Sequence, residues 1–322
     1  MTQGCHVGLI DLGSNHRCES MKVSFSGHET FALRGAWLKK AVDAVALDPE
    51  VFSSDEAIAV FGVGKNMVRA IKHWAVLCGV IEPTVGSRRG YQVSDLGDLV
   101  FGVGGWDPFF EDPATAWLMH WQIVKDVERA TLWHFIFGVY RATNIEPVTL
   151  MPEIKHWLVQ NSVKPPSDAT LKRDLDCLVH TYAPSLSRKS IEDSLQSPLA
   201  DLGVIVQKEG ALYTSQRHNL ELAHQVFAAI IIDYWNAKNP RGKTLSIDTV
   251  LKENGSPGKL LHLSEDLAYD LITSLHEDED IPLLFEDTAG IKQLIRIPDE
   301  STFESITTRY FLQKKVESGI YA

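Results

Sequence analysis

The segment Ser26-Gly27-His28-Glu29-Thr30, followed by Arg34, Trp37, Lys39 and Lys40, is the densest concentration of reactive side-chain types in the sequence. An imidazole and a carboxylate beside a glycine at a helix entrance can hold a divalent ion, a water or a phosphate, with Arg34 one turn further on. In phosphodiester cleavage His28 and Glu29 would bind Mg²⁺ or Mn²⁺ or activate water. Arg34 or Lys40 would then stabilise charge on the phosphorane-like transition state. The same residues also read as a capped helix start with a structural histidine and a local ion pair. Adjacent His and Glu point in different directions, and no second ligand cluster is identifiable. Both readings stay open on residue chemistry alone.

A second constellation lies in KNMVRAIKHWAVLC, where Val68, Ile71, Ala75 and Cys78 form one apolar stripe. That stripe leaves Lys65, Asn66, Arg69, Lys72 and His73 outside. Asn pairs with adenine edges and Arg with guanine edges in the major groove, and recognition helices meet DNA at their first residues. Arg88 and Arg89, in a turn flanked by Gly86 and Gly90, are placed to grip an adjacent backbone or minor groove. A solvated helix face beside a solvated turn is the plain alternative.

The elements needed to position these residues follow from periodicity. Leu33, Trp37, Leu38, Val42 and Val45 recur at helical spacing between Phe31 and Leu47. Ser53-Ser54-Asp55-Glu56 reads as a capping box for a short helix ending near Phe61, and Gly79 as the stop of the next helix. Short strands at Val80–Ile81 and Tyr91–Val93 follow. Helix, helix, turn, helix, hairpin is the order of a winged helix-turn-helix.

Downstream, Pro113 to Arg141 reads as one long or once-broken aromatic helix, on which His120 and His134 are packing residues. Helices are expected around Ile154 to Val159, Leu171 to His180, from Ile191 onward, over His218 to Trp235 and over Leu267 to Leu275. Strands are expected at Val204–Val206 and Ala211–Thr214, and on either side of Thr288-Ala289-Gly290. Asp174 and Asp176 beside Lys172 and Arg173 read as a solvated helix face, and Glu277-Asp278-Glu279-Asp280 as a solubilising turn. The fold class is therefore mainly α with small β-hairpins (α+β). The expected divisions are an extension over 1–21, a winged helix-turn-helix over 22–106, a helical middle domain with a second wing over 107–240, and an acidic winged-helix-like domain over 241–322. Residues 1–20 show no helical period or strand alternation, and read as an upstream extension or an over-early start codon.

Composition bounds the function. The 322 residues carry 31 Lys+Arg against 42 Asp+Glu, a formal charge of −11, with 44% hydrophobic residues, enough for real cores. Glu265 to Glu304 holds twelve acidic and two basic residues, whereas Lys22 to Val100 holds nine of each, so an anionic partner should meet the N-terminal part. The apolar run from Val226 to Ile232 is far shorter than the ~18 residues of a membrane span, and reads as core or homodimer interface. With no signal-peptide pattern the expected location is cytoplasmic. The four cysteines form no CxxC. GVGKN fails the phosphate-loop pattern at Ala59 and Asn66, so no ATP site is expected.

Five ordered blocks carry a resemblance: FSGHETFALRGAWLKK (Phe25 to Lys40), GVGKNMVRAIKHW (Gly62 to Trp74), TLKRDLDCLVHTY (Thr170 to Tyr182), EDSLQSPLADLGVI (Glu192 to Ile205) and FEDTAGIKQL (Phe285 to Leu294). Together they resemble the SspB-like family, long carried as a domain of unknown function. It includes the DNA-nicking subunit of bacterial systems that place sulfur in one DNA strand and act against phage. The resemblance implies a divalent-metal-dependent DNA nickase working with a cysteine desulfurase, an ATP-pyrophosphatase-type sulfur transferase and an ATPase. The competing expectation is a non-catalytic winged-helix adaptor or transcriptional regulator, supported by the absence of a recognisable nuclease signature.

Overall fold

The computed structural model describes residues 21–183, 197–216, 221–275, 278–297 and 301–317. Its N-terminal part runs α1 (Gly35–Leu47), α2 (Ala57–Phe61), α3 (Lys65–Leu77), the hairpin β1 (Ile81–Pro83) and β2 (Tyr91–Val93), then α4 (Asp95–Phe101). α1 packs on α3 and on the hairpin, and Trp37, Leu38, Val42 and Val45 of the stripe expected from spacing are buried. It begins later than its apolar pattern suggests. Residues 26–34 are spent on a turn and an extended stretch, and the helix starts only after Arg34.

The expected capping box is corrected. A 3₁₀ turn occupies Val51–Ser53, and the α2 N-cap is Glu56, which makes no side-chain cap bond. Ser54 Oγ instead accepts from the Glu56 amide at 3.1 Å, so the turn is closed one residue later. At the other end of the unit the glycine stop holds. Gly79 adopts φ 69°, and the amides of Gly79 and Val80 bond the carbonyls of Val76 and Ala75. This paired 5→2 and 6→1 closure satisfies the last free carbonyls of α3 and turns the chain into β1.

The middle of the chain builds the deepest core. α5 (Pro113–Val124) is buried on every side, from Ala114 through Val124, as expected of a helix that is apolar all round. Of the two forms expected, long or once-broken, the helix takes the broken one, with the break between Val124 and Thr131. It resumes as α6 (Thr131–His134), which runs into a wider π turn over Phe135–Val139. α7 (Pro147–Gln160) and α8 (Asp168–Tyr182) follow, with Ser167 Oγ capping α8 through the Thr170 amide. The strands β3 (Ile205–Lys208) and β4 (Ala211–Thr214) pair antiparallel about the left-handed Glu209-Gly210 turn. Residues 191–196 and 217–220, where helix was expected, lie outside the described residues.

α9 (His224–Lys238) answers the question left by its apolar run. Val226 to Ile232 and Trp235 are all buried against this chain's own elements, with α5 and the helices over Glu265–Ser274 and Phe303–Glu317 around them. After it come β5 (Thr244–Ser246), α10 (Ile247–Lys252), α11 (Pro257–Leu260), α12 (Glu265–Ser274), β6 (Leu283–Thr288), β7 (Ile291–Arg296) and α13 (Phe303–Glu317). The last sheet has the order β5-β7-β6, fully antiparallel. Its short strand β5 follows directly on the Asn239–Gly242 turn and had no alternation long enough to reveal it. α13 returns to the front of the chain: Tyr310 donates to Asp112 at 3.0 Å, and Phe311 packs on Trp106 with centroids 5.3 Å apart. The whole is a mixed helix and small-sheet α+β fold. No described helix is long and apolar enough to cross a membrane.

Candidate nucleic-acid interface

The loop that carries the SGHET residues is held in a conformation its sequence disfavours. Ser26, Glu29 and Thr30 have φ of 65°, 50° and 68°, a region that costs a non-glycine residue of order 1 kcal/mol or more each. The compensating contacts come from α8. Asp174 Oδ1 accepts from the Ser26 amide at 3.0 Å, from Ser26 Oγ at 3.3 Å and from His28 Nε2 at 3.1 Å. The Thr30 amide donates to His28 Nδ1 at 3.0 Å, which leaves the ring proton on Nε2.

His28 and Asp174 are each about 1% exposed. Two expectations change accordingly. Asp174 is not on a solvated face, although Asp176 is exposed. His28 is packed inside, edge-on to Trp133 at 5.8 Å. Both its ring nitrogens are committed to protein partners, so it has no free lone pair for a cation.

Glu29, its neighbour, turns the other way. Its side chain lines a groove of about 510 Å³ together with Gly27 on the same loop. The opposite wall is α3, through Arg69, Lys72 and His73, with Val76 and Leu77 as an apolar floor. Tyr91 of β2 closes one side, and Lys72 Nζ lies 5.8 Å above its ring. Arg69 Nη1 stands 3.5 Å from Glu29 Oε1 across the mouth. The two constellations read separately in the sequence are therefore walls of one cleft.

The contact between those walls is close. A Cβ on Gly27 would come within 2.4 Å of His73 Nδ1, so only a glycine lets the loop settle on the ring. His73 is consequently half-buried, not outward-facing as its helical position suggested. Burial pushes its pKa down to about 4, helped by the neighbouring His28 and Lys72. A neutral ring is thus kept beside the groove at neutral pH.

Glu128 and Arg129 supply the rest of the lining. Sequence reading passed over them because they sit in the break between two aromatic helices. The signal was there: Asp126-Val127-Glu128-Arg129 is a charged interruption of an otherwise buried run, and such a loop must reach the surface.

The other candidates lie elsewhere. Arg34 is the N-cap of α1, with its guanidinium 5.3 Å from the Trp37 ring centroid. Lys40 is exposed on α1, and Lys39 is paired with Asp43. Neither Arg34 nor Lys40 lines the groove. Lys65 and Asn66 are exposed at the start of α3, and Arg88 and Arg89 on the turn between β1 and β2. These four flank the groove residues along the sequence but do not line it.

Among the described residues no group of three or more His, Cys, Asp or Glu is placed to hold a metal ion. The groove nevertheless has two carboxylates, Glu29 and Glu128.

This fold is shared by a recognisable group. The chain belongs to a family described as proteins of unknown function, DUF4007, whose pattern matches residues 25–311. Two solved structures share its fold: a magnesium ion-bound SspB crystal structure, with TM-score 0.80, and an SspB crystal structure, with TM-score 0.79. Each is 22% identical, over 95% of this chain and 91% of the other. No curated protein sequence matches.

Proposed function

We propose that this protein is the DNA-binding and DNA-nicking component of a bacterial DNA phosphorothioate modification and anti-phage defence system. The observation that carries the reading is the shared groove: Glu29 faces Arg69 and Lys72 across one cleft at the edge of a helix-and-hairpin unit. The family resemblance of the sequence blocks supplies the biological setting, with a cysteine desulfurase, an ATP-pyrophosphatase-type protein and an ATPase as partners.

In this reading residues 22–106 act as a winged helix-turn-helix. Lys65, Asn66 and Arg69 meet base edges or phosphates from α3, and Arg88 and Arg89 hold the flanking backbone from the turn. The phosphodiester enters the groove between Arg69, Lys72 and Arg129, which balance the charge that builds on phosphorus oxygens during attack. Glu29 accepts a proton from the attacking water. The new P–O bond forms as the bond to the leaving ribose oxygen breaks, and that oxygen takes up a proton from solvent. A bound Mg²⁺ would polarise the phosphate and acidify the water, held by Glu29 and Glu128. His28 serves the fold of the loop and not the reaction itself. Arg34 and Lys40, away from the cleft, are left to DNA contact outside it.

The test is conversion of supercoiled plasmid to open circle with Mg²⁺ or Mn²⁺, with EDTA as control, for the protein and its Glu29→Ala variant. Metal-dependent nicking lost in the variant supports the reading. A second reading, the non-catalytic DNA-binding adaptor, is favoured by one specific observation: no three-ligand metal group exists among the described residues. Binding in a gel shift without nicking under either metal would select it.

A further inference from the structure

The backbone of residues 26–30 poses a physical problem. Three of its five residues, Ser26, Glu29 and Thr30, stand in the left-handed region although none is glycine. A loop under that constraint relaxes unless something over-determines it. The determinant is one side chain from far along the chain. Asp174 meets Ser26 and His28 across 148 and 146 positions of sequence, and α8 contributes nothing to the groove lining itself.

We infer that Asp174 is a positioning residue for the groove: its carboxylate fixes the loop so that Glu29 faces α3 while His28 stays inside. The chain of contacts is short. Asp174 holds Ser26 through the amide and hydroxyl, and holds His28 through Nε2–H. His28 Nδ1 in turn holds the Thr30 amide. Glu29 lies between the two fixed points. Its side chain has no direct contact with Asp174, so its direction is set by the backbone on either side.

The consequence is selective. Releasing the clamp lets Ser26, Glu29 and Thr30 return to right-handed φ values, which turns the Glu29 carboxylate away from Arg69. The cations on α3 and the 126–129 turn keep their places, because their helices and core are untouched. Asp174 should therefore matter to what the acid does and little to DNA affinity. This step rests on Glu29 being the acid of the proposed reaction, whereas the clamp is measurable without any activity.

The test compares the protein with Asp174→Asn, Glu29→Gln and the double variant. Asn has nearly the same shape but removes the negative charge, and it sets an NH₂ against the Ser26 amide at the position where Oδ2 accepts at 3.2 Å. Hydrogen exchange of amides 24–31, DNA affinity by gel shift and nicking at saturating DNA are read together. The expected result for Asp174→Asn is faster exchange over 24–31 with α3 unchanged. DNA affinity should stay within about twofold while turnover falls about 100-fold, the scale of a misplaced reacting group. In the Glu29→Gln background the second substitution should speed exchange over 24–31 by the same amount, because the clamp does not depend on the acid. Unchanged exchange over 24–31, exchange that rises equally along α3, or a DNA affinity that falls as far as turnover overturns the positioning role. If the unsubstituted protein does not nick, the acid role fails and the exchange arm alone decides the clamp. Should Asp174→Asn not fold, Ser26→Ala removes one donor at the loop rim and carries the same test with a smaller effect in the same direction.

Discussion

Glu29 Oε1 and Arg69 Nη1, 40 positions apart in sequence, stand 3.5 Å apart at the mouth of the groove. Both side chains are partly exposed, 34% and 52% respectively, so their pairing adds well under about 1 kcal/mol to stability. The pair places a carboxylate next to a cation that a phosphate would also seek. Glu29→Gln removes the negative charge and frees Arg69, so the expected outcome is DNA binding equal to or slightly tighter than that of the unsubstituted protein, measured by gel shift. Weaker binding in this variant would mean that Glu29 helps to hold DNA and that the groove is read incorrectly.

Arg69, Lys72 and Arg129 line the same cleft from two different parts of the chain. If all three meet phosphates, each substitution by Ala should weaken binding similarly on any sequence and lower the slope of log affinity against log salt by about one. Arg129 is the discriminating case, because it lies outside the helix-and-hairpin unit. A slope that falls for Arg69→Ala and Lys72→Ala but stays constant for Arg129→Ala would confine the DNA contact to residues 22–106.

Gly27 and His73 are in contact so close that a methyl group cannot be inserted. Gly27→Ala is expected to push the loop off α3 and impair nicking. Trimming the ring in His73→Ala should restore space, so the double variant should recover part of the loss. A double variant that is worse than Gly27→Ala would show that the ring does more than fill volume.

His120 shows how burial makes stability depend on pH. It lies between Tyr182 Oη at 2.8 Å and the Leu260 carbonyl at 2.9 Å, and burial lowers its pKa to about 4 from 6.5. His73 and His262 are lowered to about 4 as well, in each case chiefly by burial. Between pH 6.5 and 4 the unfolded chain binds protons that the folded chain does not. Stability is therefore complete above 6.5 and is lost as pH falls toward 4, by roughly 3 kcal/mol from His120 alone. Urea midpoints measured at pH values across this window should fall steadily. A flat profile would show that these rings are hydrated in solution.

Much of this architecture was legible in the residues. The α3 stripe, the stop at Gly79, the hairpins about Glu209-Gly210 and Ala289-Gly290, and the apolar heart of α9 all follow from local rules: period, glycine at positive φ and continuous apolarity. What escaped was long-range. Asp174, among the charged residues of α8, has the local sequence of a surface position, and only the arrival of residues 26–28 explains its burial. The same event removed His28 from the surface and left Glu29 on it, a division that two adjacent residues at a loop do not announce. The capping box at Ser53–Glu56 failed because a 3₁₀ turn takes up Val51–Ser53 and the helix starts only after Glu56, three residues beyond the expected cap. Glu128 and Arg129 form no motif, because the groove is assembled from the loop, α3, β2 and the turn at 126–129, and only the charged break in an apolar run marks them as surface residues.

The most direct measurement of the central claim is plasmid nicking and gel-shift binding, made side by side with Mg²⁺ on the protein and on Glu29→Gln. The account predicts open-circle product from the former, none above the EDTA background from the latter, and undiminished binding by both. Equal nicking by the two proteins, or binding with no nicking by either, would contradict it.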